Sequence, residues 1–382
     1  MPGALITMAA LLLLFPPLIL YLSVLERKVL ADMQARLGPM RVGPHGLLQG
    51  MADAIKLLLK EDVIPSGADP VIFRIAPIAA TAAALTALAV IPFSSAIHVS
   101  DVNVGLLVII ATASFGILGL VLGGWASNSH YPLLGAIRSA AQLVSYEIAL
   151  AFALLCGLMS AGTLSLVGVV EEQRRRHIWF VFDHWGFMLL AFVIFVIAAI
   201  AEANRAPFDL PEAESELAGG YHLEYSGMRW AFFMLSEYGN LFVACAAAVT
   251  LFWGGWLQPF PSVAWLEWPV GVGVPLALFL LIAGGCFYLA RESAPRGFRL
   301  ILWAIGTACI VAAAGFAVPA LNHAAGGIFW FLLKVLLLLY VMIWLRATFP
   351  RLRYDQLMRL GWKWLIPAGF AAVLGNALLG VL

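Results

Sequence analysis

Ten separate stretches of this chain are about twenty residues long, mostly apolar, and bounded by charge. They fall at about 4–25, 73–93, 104–125, 142–168, 185–203, 230–255, 269–290, 299–318, 327–348 and 363–381. A helix needs about 20 apolar residues to cross a hydrocarbon core of about 30 Å. Backbone polar groups find no water there, so such runs must be helical, and the period-two alternation of a barrel is absent. Composition narrows the reading further. Of 382 residues, 63% are hydrophobic and 11% charged, where a soluble domain carries about 25% charged residues. A net charge of +1 leaves no electrostatic footprint for nucleic acid. The expected fold is all-α, a polytopic membrane helical bundle forming a single membrane domain over 1–382. The first run has no basic segment before it, and Glu26, Arg27 and Lys28 follow it. It reads as a retained span, not a signal peptide.

Lysine and arginine set the orientation. The connections after spans one, three, five, seven and nine hold 18 of the 22 basic residues, and the opposite side holds three, Arg174, Arg175 and Arg176. This predicts odd-numbered connections in the cytoplasm and both termini on the outer side. The arginine triplet shares its loop with Glu171, Glu172 and Asp183, and reads as a solvated helix end. Cys156, Cys245, Cys286 and Cys309 are widely spaced in apolar stretches and read as inert core thiols.

Two cytoplasmic connections are more than turns. Within 26–72, Leu48, Met51, Ile55 and Leu58 form one helical face, and Gln49, Asp53, Lys56 and Lys60 the other. That amphipathic helix is too short to span and should lie flat at the interface or against another subunit. The segment before it is basic and carries Gly38-Pro39 and Gly43-Pro44 turns. The connection 203–229 packs Asp209, Glu212, Glu214, Glu216 and Glu224 beside only Arg205, His222 and Arg229. Such density is ordinarily a solvated acidic loop. Here it is interleaved with Phe208, Leu210, Leu217, Tyr221 and Tyr225, which a solvated loop does not need.

Four ionisable groups fall inside the spans. Glu147 is placed about one turn into span four, Glu202 closes span five, and Glu237 and Lys334 are placed about two turns into spans six and nine. Each costs at least about 2.5–3.5 kcal/mol to insert. Lys334 alone is equally consistent with a structural partner. The three carboxylates, beside the acidic loop, look like a line of proton sites. No GxGxxG, Walker loop, CxxC pair or HExxH occurs, and the seven histidines fall in or near connections. The expectation is no metal, haem, nucleotide or cluster bound by this chain.

Four blocks, taken in order, carry a resemblance: ERKVLADMQARLGPMRVGPHGLLQGMADAIKLLLKE, GAIRSAAQLVSYEIAL, AEANRAPFDLPEAESELAGGYHLEYSG with SEYGN, and WLRATFPRLRYDQLMRLGWKWLIP. Together they closely resemble one membrane-subunit family of the proton-pumping NADH–quinone oxidoreductase, respiratory complex I: the H subunits of bacteria, with NADH dehydrogenase subunit 1 as their mitochondrial counterpart. The resemblance implies a component of the bacterial plasma membrane that joins the membrane arm to the peripheral arm and contributes to the quinone chamber. Quinone is its substrate. FMN, the iron–sulfur clusters and the NADH site then belong to partner subunits, and no catalytic residue belongs to the isolated chain. Glu26, Arg27, Arg36 and Arg41 match the first-loop motif near the quinone's way in and the subunit junction. Arg205 and Asp209 match the RxPFDLxE motif beneath the chamber, and Glu212, Glu214, Glu216 and Glu224 its acidic stretch. Glu147, Glu202 and Glu237 match membrane carboxylates proposed to lead protons toward antiporter-like subunits.

In one place the chain departs from that pattern. Residues 262–326 are an insertion with two apolar runs joined by RESAPRGFR, read as an added transmembrane hairpin. It preserves the parity of later loops and is expected to pack outside the bundle, against lipid or an accessory partner. An alternative keeps the fold but places it in an energy-converting hydrogenase or formate hydrogenlyase, which needs no quinone chamber. A stand-alone transporter ranks last, because no internal repeat is visible.

Overall fold

The computed structural model describes residues 2–95, 97–210, 219–259, 263–292 and 296–381. Among these it is all helical. The elements are α1 (Pro2–Met33), α2 (Gln49–Leu59), α3 (Pro70–Val90), α4 (Gly105–Ala126), α5 (His130–Ala161), α6 (Leu166–Arg176), α7 (Phe187–Glu202) and α8 (Gly227–Phe252). Then follow α9 (Ala264–Trp268), a π turn (Pro269–Gly273), α10 (Val274–Glu292), α11 (Arg296–Ala317) and α12 (Pro319–Thr348). The chain closes with α13 (Tyr354–Leu360), a second π turn (Gly361–Leu365) and α14 (Ile366–Val381). Nine helices among the described residues are long and apolar enough to span a bilayer, and the shorter Phe187–Glu202 occupies the fifth expected position.

Local chemistry sets the boundaries. Asp69 caps α3, accepting from the N–H groups of Val71 and Ile72 at 3.0 and 3.2 Å, with Pro70 at the first helical position. Gly162 ends α5 in the left-handed region at φ 66°. The expected span 142–168 therefore shifts. α5 begins at His130 and stops at Ala161, while Leu166–Arg176 is a separate helix started by Ser165. The 32 residues of α5 cover about 48 Å at 1.5 Å each, longer than any bilayer crossing requires. Arg138 thus lies on the helix, and Glu147 sits in its middle, not one turn from its start. α1 likewise runs on to Met33, so Glu26, Arg27 and Lys28 belong to its last turns. The arginine triplet forms the exposed, basic last turn of α6, with Arg175 and Arg176 on Glu172 at 2.7 and 2.8 Å.

The centre of the bundle is α5, α7 and α8. α5 packs on α4, α7 and α14, and α8 packs on α3, α7 and α12. Small residues permit the closest approaches, as is usual where lipid supplies no hydrophobic drive. A Cβ on Gly119 would lie 2.8 Å from the backbone nitrogen of Ala80, and one on Gly124 would lie 2.5 Å from the Pro132 carbonyl oxygen. α10 and α11 pack mainly on each other and touch the bundle through α12, with α11 also reaching the Pro44–Gly46 turn. Cys156 and Cys245 are buried, but Cys286 and Cys309, on this outer hairpin, are only half-buried.

Lys334 lies deeper than the sequence suggests, because α12 starts at Pro319. Its ammonium donates to the carbonyls of Trp253, Gly255 and Leu257 at 2.7, 2.9 and 2.6 Å and sits 4.7 Å from the Trp179 ring. All three acceptors lie at or just beyond the carboxyl end of α8, where a cation is favoured by the helix dipole. Its role is structural.

Replacing Gly124 with valine should force α4 from α5 and destabilise the bundle by about 1–3 kcal/mol, lowering the thermal midpoint in detergent. Gly116→Ala should leave it unchanged, since its added Cβ would meet Ala83 at an ordinary 3.6 Å.

Candidate functional site

At one end of the bundle, α1, α7 and α12 finish and α8 begins, and there the chain buries charge. Arg205 follows α7 in a segment that is itself buried, with Asn204, Arg205, Phe208, Asp209 and Leu210 each at most 9% exposed. The interleaved apolar residues explain this. Phe208 packs against Tyr146 with ring centroids 5.4 Å apart. Gln142, wholly buried on α5, donates to the carbonyls of Ala201 and Phe208 at 2.7 and 2.8 Å. A second strap comes from beyond α12, where the Leu352 N–H donates to the Pro207 carbonyl at 3.0 Å.

Held this way, the Arg205 guanidinium reaches Glu237 of α8 at 2.9 Å and Glu26 of α1 at 3.7 Å. Its face lies 4.3 Å from the Tyr238 ring centroid. Arg346 of α12 pairs with Glu26 from the other side. Among the described residues, two carboxylates and two guanidiniums thus meet in one cluster that ties α1, α8, α12 and the segment after α7 together, with Arg346 at its partly exposed edge. Arg351 makes a neighbouring pair with Asp209 at 2.9 Å.

Glu237 also opens a line of carboxylates. A cavity of about 20 Å³ is lined by Glu237, Ser236, Asn240, Asn204 and Glu202. A second, of about 30 Å³, is lined by Asn240, Glu202, Glu147 and Thr112. Glu202 and Asn240 are common to both. Glu147 accepts a hydrogen bond from Ser114 of α4. The two spaces are water-sized and polar on one side, the kind of site where a bound water needs two to four partners.

On the other side of Tyr238 lies a mostly apolar cavity of about 380 Å³ between α1, α2 and α8. Pro16, Ile19, Leu20, Leu57, Trp230 and Leu235 line it. Its polar rim is Arg27, Asp53 and Tyr238, with Arg27 and Asp53 paired at 2.8 Å. α2 forms its roof, with Leu57 and Leu58 lining the cavity, while Met51 and Ile55 are each more than half exposed.

The NADH dehydrogenase family model matches residues 6–377. The second H subunit of the NADH-quinone oxidoreductase of Solibacter usitatus is 59% identical over 368 residues, covering 96% of this chain and 94% of that protein. The first H subunit of the Koribacter versatilis enzyme is 47% identical over 95% of this chain and 88% of that protein. The H subunit of the Rhodospirillum rubrum enzyme is 41% identical over 98% and 94%. The chain belongs to the H-subunit family of NADH-quinone oxidoreductase. It is a multi-pass membrane component of that enzyme and functions among its other subunits.

Of the residues singled out by the four sequence blocks, the fold gathers Glu26, Arg205 and Glu237 into one cluster, sets Asp209 beside it, and places Glu147 and Glu202 along the adjoining cavities. Arg27 lies at the rim of the apolar cavity. Arg36 and Arg41 stay exposed in the first connection, with Arg36 donating to Gln34 at 2.7 Å. Glu224 is half-buried just after the Gly220–His222 turn. Glu212, Glu214 and Glu216 lie outside the described residues. Sequence reasoning missed Arg346, Arg351, Gln142, Asn240 and Tyr238. All five lie in or beside the quoted blocks, and for Gln142, Asn240 and Tyr238 the signal was a polar residue on an otherwise apolar helical face. Among the described residues, no group of three or more His, Cys, Asp or Glu side chains is arranged to hold a metal ion.

The Gly220–His222 turn seals the site from below. It rests on α5 so closely that a Cβ on Gly135 would lie 2.9 Å from the Tyr221 nitrogen. Burial pushes the His222 imidazole down to about 4. Between that value and an ordinary histidine pKa of about 6.5, the opened segment takes up a proton that the closed one refuses. Closure should therefore weaken as pH falls through this window. Amide exchange over 219–226, corrected for intrinsic rate, should be faster at pH 5 than at pH 7.5, and His222→Phe should remove the difference.

Removing Arg205 takes a guanidinium at 2.9 Å from Glu237 and one at 3.7 Å from Glu26. Arg205→Met should destabilise the subunit by about 3–5 kcal/mol, seen as earlier heat-induced release from the membrane arm. The double variant with Glu237→Gln should recover part of this. An Arg205→Met complex as heat-resistant as wild type would refute the argument.

Proposed function

We propose that this subunit forms part of the quinone-binding chamber and carries the first carboxylates that couple quinone reduction to proton translocation. The observation that carries the reading is Tyr238. It lines the apolar cavity on one side and is stacked by Arg205 on the other. A quinone needs an apolar channel for its isoprenoid tail and a few polar groups for its head. The space between α1, α2 and α8 offers the first, and Arg27, Asp53 and Tyr238 stand at its polar side.

Reduction of a quinone takes two electrons and two protons. On this reading the electrons come from FMN and iron–sulfur clusters in peripheral partner subunits, and this chain supplies position, charge and proton sites. Charge that develops beside Tyr238 shifts the balance between Arg205, Glu26 and Glu237. Glu237 then exchanges protons with Glu202 and Glu147 through the water-sized cavities they share with Asn240. The acidic stretch Glu212, Glu214, Glu216 and Glu224, with Arg36 and Arg41, would face the peripheral subunits, and antiporter-like membrane subunits would receive the protons beyond Glu147. The excess of basic residues at this end supports a cytoplasmic position for it, with both termini on the outer side of the bacterial plasma membrane. The 262–326 hairpin is an addition outside this machinery. The full-length resemblance to quinone oxidoreductase subunits favours this reading over a hydrogenase.

The test is reconstitution of the complex in vesicles. Glu147→Gln and Glu202→Gln should cut protons moved per NADH at least several-fold while NADH oxidation by an artificial acceptor stays normal. Unchanged proton stoichiometry in both variants, or purification with a nickel–iron module in place of an NADH-oxidising one, would sink the proposal.

A further inference from the structure

A second large cavity, of about 470 Å³, lies on the far side of α1 from the one described above. α1 separates the two at its proline pair, Pro16 lining one and Pro17 the other. Its walls are Leu11, Leu14 and Leu18 of α1, Phe242 of α8, and Ile328 and Leu332 of α12. Along α1 it runs from Thr7 to Tyr21. At 1.5 Å per residue this is about 21 Å, against about 15 Å for half of a 30 Å hydrocarbon core. The groove is therefore longer than one leaflet is deep, running from the outer part of α1 to within five residues of Glu26.

Its side is open. Leu14 and Tyr21 line it and are 64% and 43% exposed, so it faces the membrane laterally. An empty space of this size would forfeit the dispersion contacts of every residue lining it. Water cannot fill it, because a buried water needs two to four polar partners and the walls are almost wholly apolar. A hydrocarbon chain meets both conditions. The connection after α3 supplies one polar group at the outer end. His98 lines the groove, and its Nδ1 is buried with no hydrogen-bond partner among the described residues.

We propose that this groove is a binding site for one membrane glycerophospholipid, with an acyl chain laid along α1 and its ester or phosphate oxygens at His98. The bound lipid completes the packing of α1 against α8 and α12. α1 also walls the cavity beneath α2, so the lipid sets the position of that wall.

The test uses the purified complex and a phosphatidylethanolamine bearing a diazirine in its acyl chain, irradiated before and after exhaustive exchange into lipid-free detergent. Labelling at Leu11, Leu18, Ile328 and Leu332 should survive exchange, while labelling at Leu13, which is 76% exposed, should be lost. Ala10→Trp, which fills the groove, should reduce the surviving label at least fivefold, and His98→Ala should make it wash out faster. Loss of label at all five positions together would overturn the proposal. So would persistent labelling by a diazirine-bearing quinone and not by the phospholipid, which would make the groove a second quinone-tail site.

Discussion

One buried guanidinium organises this end of the molecule. Arg205 is 8% exposed and sits at the margin of an apolar bundle, where a charge without partners is not tolerated. Its partners come from separate elements: Glu26 from α1, Glu237 and Tyr238 from α8, with Arg346 of α12 closing the circuit on Glu26. If the segment that carries Arg205 lay elsewhere, Glu237 would lose its guanidinium contact at 2.9 Å and Glu26 would keep only Arg346 among the pairs described. That explains why residues 204–210 fold inward, and why Gln142 and Leu352 donate hydrogen bonds that hold them.

α8 shows how the same residue class serves two ends. At one end Glu237 and Asn240 face water-sized cavities and share charge with Arg205. At the other, Lys334 closes the helix by donating to three carbonyls. The ammonium is saturated by fixed backbone groups. The carboxylates are held by side chains that can rearrange. The contrast between a fixed dipole partner and a mobile one separates a structural charge from a candidate proton site.

The large-scale fold was legible because transfer energetics act on long runs. Ten apolar stretches, the amphipathic helix at 49–59 and the hairpin all follow from length and periodicity. Glu202 and Glu237 stood out because carboxylates are rare in such runs. Depth was less legible. A count of twenty residues cannot show that α5 starts at His130, since helix continues beyond the hydrocarbon where nothing in the sequence stops it. The partners of the buried charges were the least visible. Arg346 and Arg351 look like ordinary positive-inside residues, and only the packing of α12 on α1, with the strap of Leu352 on Pro207, brings them to Glu26 and Asp209. Asn240 becomes notable only when two cavities are seen to share it.

The pairing within the cluster bears on how a change in the apolar cavity is felt beyond it. Among the described residues, Glu26 and Glu237 face Arg205, and Arg346 faces Glu26. Placing a negative charge beside Tyr238 draws Arg205 toward it and weakens its hold on Glu237. The response needs no long-range movement, because Tyr238 and Glu237 are consecutive residues of one helix and both touch the same guanidinium. On the function proposed above, a change of charge in the apolar cavity would reach the carboxylates through Arg205, which touches both Tyr238 and Glu237.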